Sequence, residues 1–290
     1  MSVETRRSLA APAAAEPAGY GLALTDQERL RYRLMASSAA DNEAAEWTQA
    51  GIVAGARVAD VGCGPGAVLR LLAERVGATG TATGIDADDT AICCAREQIS
   101  DLPHADARVA SATDTGLDPA AYDVVMCRHV LAHNGGREGA IVAHLASLTA
   151  PGGCVYLADA DATALRITGD ARDLEDLMDR YRRFQAARGN DLSVGLRLGD
   201  LLTDAGLTVE RFACRAPVIR LMPGMRPPSW AARTQMVAEG FATESDVARW
   251  EEAFVRHDSE PERPWLFPAT FVAIGRRPQR PDHHGTARLP

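Results

Sequence analysis

The stretch "RVADVGCGPGAVLRLLAERVG", residues 57–77, constrains the fold more than any other part of the chain. Val58–Val61 is an apolar run of strand length. Val68, Leu69, Leu72, Ala73 and Val76 then recur at helical spacing, and Gly77 lies just beyond them. Between the two runs stand Gly62, Gly64 and Gly66. A strand that turns through glycines straight into a helix opens a β–α unit. Its turn lets a ligand approach the backbone at a helix N-terminus.

The alternation continues downstream. "TATGID" (81–86), "ARVASA" (107–112), "YDVVMCRHVL" (122–131) and "CVYLAD" (154–159) read as strands. "DDTAICCAREQI" (88–99) and "GAIVAHLASL" (139–148) read as helices, and Pro151-Gly152-Gly153 as a tight turn. Strands separated by helices imply right-handed crossovers, hence a doubly wound α/β sheet, mostly parallel and covered on both faces. Leu174, Leu177, Met178, Tyr181 and Phe184 then form a helical stripe, and 195–207 another helix. Residues 208–221 read as a sixth strand, and "ATFVAIGRR" (269–277) closes the pattern after two more helices. Upstream, residues 24–52 read as helix, with Thr25 and Glu28 as a capping box and Gly51 as the stop. We expect a disordered leader (1–18), one domain (19–277) with an N-terminal helical cap (19–50), and a disordered tail (278–290).

Charge and composition narrow the partners. The net charge of −8 lacks the positive footprint that nucleic acid requires. Arg172, Arg180, Arg182, Arg183 and Arg188 read as a solvated helix face. No apolar run approaches the roughly 20 residues of a membrane span, and the N-terminus lacks a secretory core. The six cysteines include no C-x-x-C pair, so the expectation is buried thiols in a reducing cytoplasm and no metal. His283 and His284, in the tail, make a weak metal site at best.

The spacing of the glycines separates two cofactor classes. A dinucleotide turn prefers G-x-G-x-x-G, whereas this one reads G-x-G-x-G. Asp60 precedes it by two residues; a pyrophosphate would be repelled there and a cation attracted. Asp86 ends the second strand, 20 residues after Gly66, where an acid accepts hydrogen bonds from both ribose hydroxyls. NAD and S-adenosylmethionine (SAM) share that ribose; the sulfonium and ammonium of SAM suit Asp60. Asp86 has a second reading, as a helix cap.

"VADVGCGPG", "GID", "YDVVMCRHVL" and "LTAPGG", in this order, resemble the class I SAM-dependent methyltransferases, from about Arg57 to Pro151 and more weakly beyond. The resemblance implies a seven-stranded sheet whose last strand is antiparallel and hairpinned to the sixth. It also implies a helical lid insertion at 160–200 on the substrate side. It places Asp60, Gly62, Cys63, Gly64 and Gly66 around the methionine part of SAM. Asp86 falls on the ribose, Ala87 near the adenine, Ser111 and Ala112 flanking it, Arg128 along the cleft, and Tyr20 in a segment that closes over the cofactor.

Methyl transfer needs an aligned acceptor and, for a protic one, a base. His129 and His133 follow the fourth strand at its carboxyl edge, and Asp159, with Asp161, ends the fifth. Each also reads as a cap or a packing residue. Tyr181, Phe184 and Trp230 are candidates for the wall of an apolar substrate pocket, though core packing explains such spacing equally. Together these features predict a small, partly apolar acceptor in natural-product tailoring, methylated at O, N or C, with a homodimer through the N-terminal helices. A SAM-binding fold used for a non-methylating rearrangement or as a scaffold, and an NAD-dependent oxidoreductase, are the rival readings.

Overall fold

The computed structural model describes residues 26–169 and 171–279. Tyr20, Thr25, the leader and most of the tail lie outside the described residues. The chain enters through α1 (Asp26–Asn42) and α2 (Ala44–Ala50). The single helical run expected here breaks at Glu43, whose backbone (φ −114°, ψ 11°) leaves the helix. Gly51 then caps α2 at φ +100°, donating to the carbonyls of Trp47 and Thr48. Glycine tolerates this left-handed conformation without strain.

Among the described residues eight strands, numbered in chain order, build one sheet, in the order β3-β2-β1-β4-β5-β8-β6, with β7 paired to β8. Strands β1 (Arg57–Val61), β2 (Thr81–Asp86), β3 (Ala105–Val109), β4 (Tyr122–Arg128) and β5 (Thr149–Ile167) are parallel. They are joined through α3 (Ala67–Val76), α4 (Asp89–Gln98) and α5 (Glu138–Leu148). Closing strand β8 (Trp265–Arg276) lies antiparallel between β5 and β6 (Thr208–Arg215), as expected of a last strand hairpinned to the sixth. The strand expected over 208–221 is interrupted around Pro217 and resumes as the two-residue β7 (Ile219–Arg220). Proline has no N–H to give the ladder. The chain winds outward from β1 to β3 and then back through β4. The switch point lies between β1 and β4, where open sheets of this kind hold ligands.

Alternation along the strands sorts side chains onto two faces. Ala59, Val61, Val125, Cys127, Val155 and Leu157 pack with Ile141 and Leu145 of α5 and with α7 (Leu198–Asp204). Val58, Val124, Met126, Cys154 and Tyr156 pack with Trp47 and Ala50 of α2 and Leu72 and Val76 of α3. The apolar side of α2 therefore covers this chain's own sheet.

Strand β5 is longer than its sequence suggests. Pro151–Gly153 falls inside it, at a register shift, rather than forming a separate turn. Residues 160–167 continue as strand against β8, Ile167 opposite Leu266. Their partner is about a hundred residues away, so local pattern cannot reveal the pairing. The helices α6 (Arg172–Ala187), α8 (Pro228–Ala231), α9 (Arg233–Ala238) and α10 (Glu244–Ser259) then bury a core of their own around Leu177, Phe184, Trp250 and Phe254. Arg180 and Arg182 on α6, and Arg188 at its C-cap, are each paired with an acid. Cys63, Cys94, Cys127 and Cys154 are buried free thiols, while Cys93 and Cys214 are exposed. Among the described residues no helix is long and apolar enough to cross a membrane.

Candidate active site

The glycine turn is closed upon itself. The N–H groups of Gly62 and Cys63 donate to the Ile85 carbonyl at 2.7 and 3.0 Å. Gly64 N–H donates to Asp86 Oδ2 at 2.8 Å, and Gly66 N–H to the Cys63 carbonyl at 3.1 Å. Pro65 has no N–H to offer. The N–H groups of all three glycines are thus spent on the protein's own acceptors. The three glycines also differ in task. A Cβ on Gly66 would lie 2.7 Å from the Ala95 Cα on α4, and one on Gly62 would lie 2.1 Å from Val130 Cγ2. These two let the turn pack. At Gly64 the nearest atom is Cε1 of Tyr32, a ring of α1, at 3.5 Å, so its bare face looks into the space beneath α1. The Cys63 side chain is turned into the core beside Leu69 and Ile92.

Asp60 lies under this turn. It is buried, and its Oδ2 has no hydrogen-bond partner among the described residues. Burial pushes its carboxyl up to about 7; the positive charge of Arg128 opposes the rise and the negative charge of Asp86 adds to it. A buried acceptor left without a donor is costly unless a ligand supplies one. Asp86, at the end of β2, accepts from Gly64 N–H and, at 3.0 Å, from Asp88 N–H. Burial raises its carboxyl as well, against those hydrogen bonds. Each of its oxygens keeps a lone pair for a further donor. Helix capping belongs instead to Asp88, whose side chain accepts from Thr90 and Ala91 N–H. Ala87 is exposed beside it. Ser111 and Ala112 follow β3, tied to Asp86 by Ala110 N–H at 2.9 Å, and the Ser111 hydroxyl bonds that of Thr113.

Arg128 does not open into the cleft. It forms a buried ion pair with Glu43, whose same Oε2 accepts the Tyr156 hydroxyl at 2.5 Å. The break between α1 and α2 brings Glu43 there, and no local signal in the sequence announces it.

On the other side of the switch point stand His129, His133 and Asp159. His129 Nδ1 lies 3.8 Å from Asp159 Oδ1. His129 has φ +55°, one of two described non-glycine residues with positive φ. Such strain is maintained only where surrounding structure imposes it, and it clusters at functional sites. Asp159 is fixed by the N–H groups of Ala132 (3.1 Å) and Ala160 (2.9 Å). His133 ends the short 3₁₀ turn Leu131–His133. Burial holds its imidazole below the usual histidine range; Asp159 opposes that and His129 reinforces it. Asp161 is occupied by Thr163 N–H and hydroxyl, at 2.8 and 2.6 Å.

The buried ion pair Glu28–Arg31 of α1 faces this cluster. The charge of Arg31 reaches both His133 and Tyr181. Burial pushes the Tyr181 phenol up to about 12. Tyr181 therefore lies between the helical core and α1. Phe184 and Trp230 pack inside the helical core, edge-on to Phe241 and Phe254, with centroids at 5.5 and 5.3 Å. For these two the packing reading describes the structure.

A family model described as a methyltransferase domain matches residues 58–153. The chain is 34% identical over 173 residues to a ubiquinone biosynthesis O-methyltransferase of Xanthomonas campestris, a match covering 56% of this chain and 70% of that one. The chain belongs to the class I SAM-dependent methyltransferases. It is also 29% identical over 150 residues to an uncharacterized protein in a Streptomyces fradiae transposon, and spans 52% of its own length and 43% of that protein. A protein of Bacillus halodurans classed as a methyltransferase shares the fold, with TM-score 0.54, 20% identity, and coverage of 81% of this chain and 98% of that one.

SAM, the cofactor of the family, fits the residues present. A turn whose donors are internally bonded, above a buried carboxylate with an unmet oxygen, suits an ammonium and sulfonium better than a pyrophosphate. Sequence reasoning missed Tyr32, Glu28, Arg31, Glu43 and Tyr156. In sequence, Glu28 reads as the capping-box partner of Thr25, and nothing local pairs it with Arg31 in a buried site. Only packing turns the pair inward.

Proposed function

We propose that the chain transfers the methyl group of SAM to a hydroxyl oxygen of a small, partly apolar metabolite, in cytoplasmic natural-product tailoring. The observation that carries this reading is His133, held neutral by burial at the carboxyl edge of β4, with Asp159 on the adjacent strand. When bound, SAM supplies a methyl already activated by its positive sulfur. In this reading Asp60 faces the ammonium, Asp86 accepts the ribose hydroxyls, and Ser111 and Ala112 flank the adenine. His133 takes the hydroxyl proton as the oxygen attacks, and Asp159 stabilises the imidazolium that forms. His129 orients the acceptor, and Tyr181 with α1 excludes water from it. The O-methyltransferases among the relatives support oxygen over nitrogen or carbon. The lysine-free, arginine-rich composition supports a high-GC source, where tailoring enzymes are frequent.

The test is turnover with a panel of phenols, catechols, aryl amines and indoles. The expected result is formation of S-adenosylhomocysteine with a gain of one methylene on a hydroxylated acceptor. SAM bound but never consumed would favour the non-methylating reading, and methylation of amines or ring carbons alone would overturn the oxygen assignment.

A further inference from the structure

Asp60, Met126 and Tyr156 are register partners across β1, β4 and β5, and Arg128 lies two residues beyond Met126. Strand alternation therefore puts Asp60, Arg128 and Tyr156 on one face of the sheet, the face covered by α2 and α3. Glu43 enters that face from the break between α1 and α2, and its Oε2 takes both Arg128 and Tyr156. Arg128, Glu43 and Tyr156 are all buried, so their charges are weakly screened. The arrangement is lopsided. Two carboxylates, Glu43 and Asp60, share the field of one guanidinium, and among the described residues that guanidinium is bonded to Glu43 alone. Asp60 Oδ2 is left bare.

We propose that Arg128 is a positioning residue for the cofactor, and that Glu43, by drawing its guanidinium away, leaves the Asp60 carboxylate open to the cationic amine of SAM. The proposal rests on the assignment of Asp60 to the cofactor. Were Arg128 free to pair with Asp60, it would occupy the oxygen that the ligand needs. Were it absent, Asp60 would lose the one charge that opposes its protonation. The cap helices thus act on cofactor binding from behind the site through a buried ion pair.

The other charge that reaches Asp60 is that of Asp86 on β2, and the charge of Asp60 in turn reaches the thiols of Cys63 in the turn and Cys127 on β4. Burial raises both thiols well above their usual range, so they stay neutral. Asp86 acts on Tyr32 of α1, and Glu43 and Glu46 act on Tyr156, whose phenol is raised chiefly by burial. The ligand's own amine titrates near ~8 in every variant alike.

The experiment is SAM affinity by titration calorimetry from acid to alkaline pH, on the full chain. Wild type should bind more tightly as pH rises through about 7, as Asp60 ionises. Glu43→Gln should lower the peak affinity about tenfold and move the midpoint of the acid limb to lower pH, because Arg128 turns to Asp60. The double variant Glu43→Gln with Arg128→Met replaces the pair by a neutral one that packs, and should move the midpoint to higher pH. If Glu43→Gln does not fold, the alkaline shift of the double variant decides. Profiles that coincide with wild type overturn the inference. Asp60→Asn separates the two failures: unchanged affinity there sinks the Asp60 assignment itself, whereas weakened binding with coincident profiles sinks only the role of Arg128 and Glu43.

Discussion

The two sides of the switch point are built in different ways. In the proposed function, the cofactor side draws on Asp60 to Gly66, Asp86 to Asp88 and Ala110 to Ala112, three short segments that each end a strand. The acceptor side proposed for it draws on Glu28 and Arg31 of α1, His129 to His133, Asp159 and Tyr181 of α6, spread over about half the chain. Backbone bonds within local turns hold the first in place. Packing between distant elements holds the second. The contrast teaches that the cofactor side can be rigid and transferable, while the acceptor side is free to vary with the helices laid over it.

The strongest way to break this contrast is at His133. His133→Ala should lower kcat by roughly 10²–10³ while leaving SAM affinity within about twofold. His129→Ala should cost less, because its part is orientation. Unchanged turnover in both variants, read by product formation, would remove the base from the acceptor side altogether.

A smaller effect should appear on the opposite side. Asp86→Asn keeps one acceptor oxygen for the turn but weakens the ribose contacts, so calorimetry should show SAM affinity falling about tenfold to a hundredfold. Asp86→Ala would also strip the acceptor from Gly64 and Asp88 N–H, mixing a stability loss into the result.

The glycines sharpen the comparison within the turn. Gly66→Ala forces a Cβ against the Ala95 backbone at φ +85° and should lower stability by about 2–4 kcal/mol, seen as a falling Tm. Gly64→Ala meets only the Tyr32 ring at 3.5 Å, and at φ +53° should cost about 1 kcal/mol of stability, with its main effect on SAM affinity. Equal Tm losses would show that both glycines serve packing alone.

The smallest effect is a pH slope. Burial lowers the His133 pKa in the fold, so between that value and the ordinary histidine value the unfolded chain binds more protons. That group's contribution to stability therefore rises with pH through this window and is complete above ~6.5. Asp60 acts oppositely: its folded value of about 7 exceeds the ordinary one, so its contribution falls as pH rises from ~4 to about 7. Denaturant midpoints of wild type, His133→Ala and Asp60→Asn across pH would separate the two slopes.

The legible part of the site is the part whose signal is local. Gly62, Gly64, Gly66, Asp60 and Asp86 could be read because a strand end, a turn and a helix start within ten residues leave a compact pattern. His129, His133 and Asp159 could be named from their places at strand ends, and the structure brings His129 and Asp159 within 3.8 Å. Arg128 was named for the cleft, yet its guanidinium is turned to Glu43, since the break after Asn42 delivers a buried acid. Phe184 and Trp230 showed the same helical spacing whether they faced a pocket or a core, so spacing could not choose between the two.

The amino-acid order alone determined the alternation of strands and helices, the presence of a closing strand and the acidic glycine turn. Those follow from periodicity and backbone preference over a few residues. Tertiary structure decided how far β5 runs, which way α1 faces, and which carboxylate holds Arg128. Each of these depends on contacts between residues tens to more than a hundred positions apart. There, burial rather than local propensity sets which charged groups must find one another.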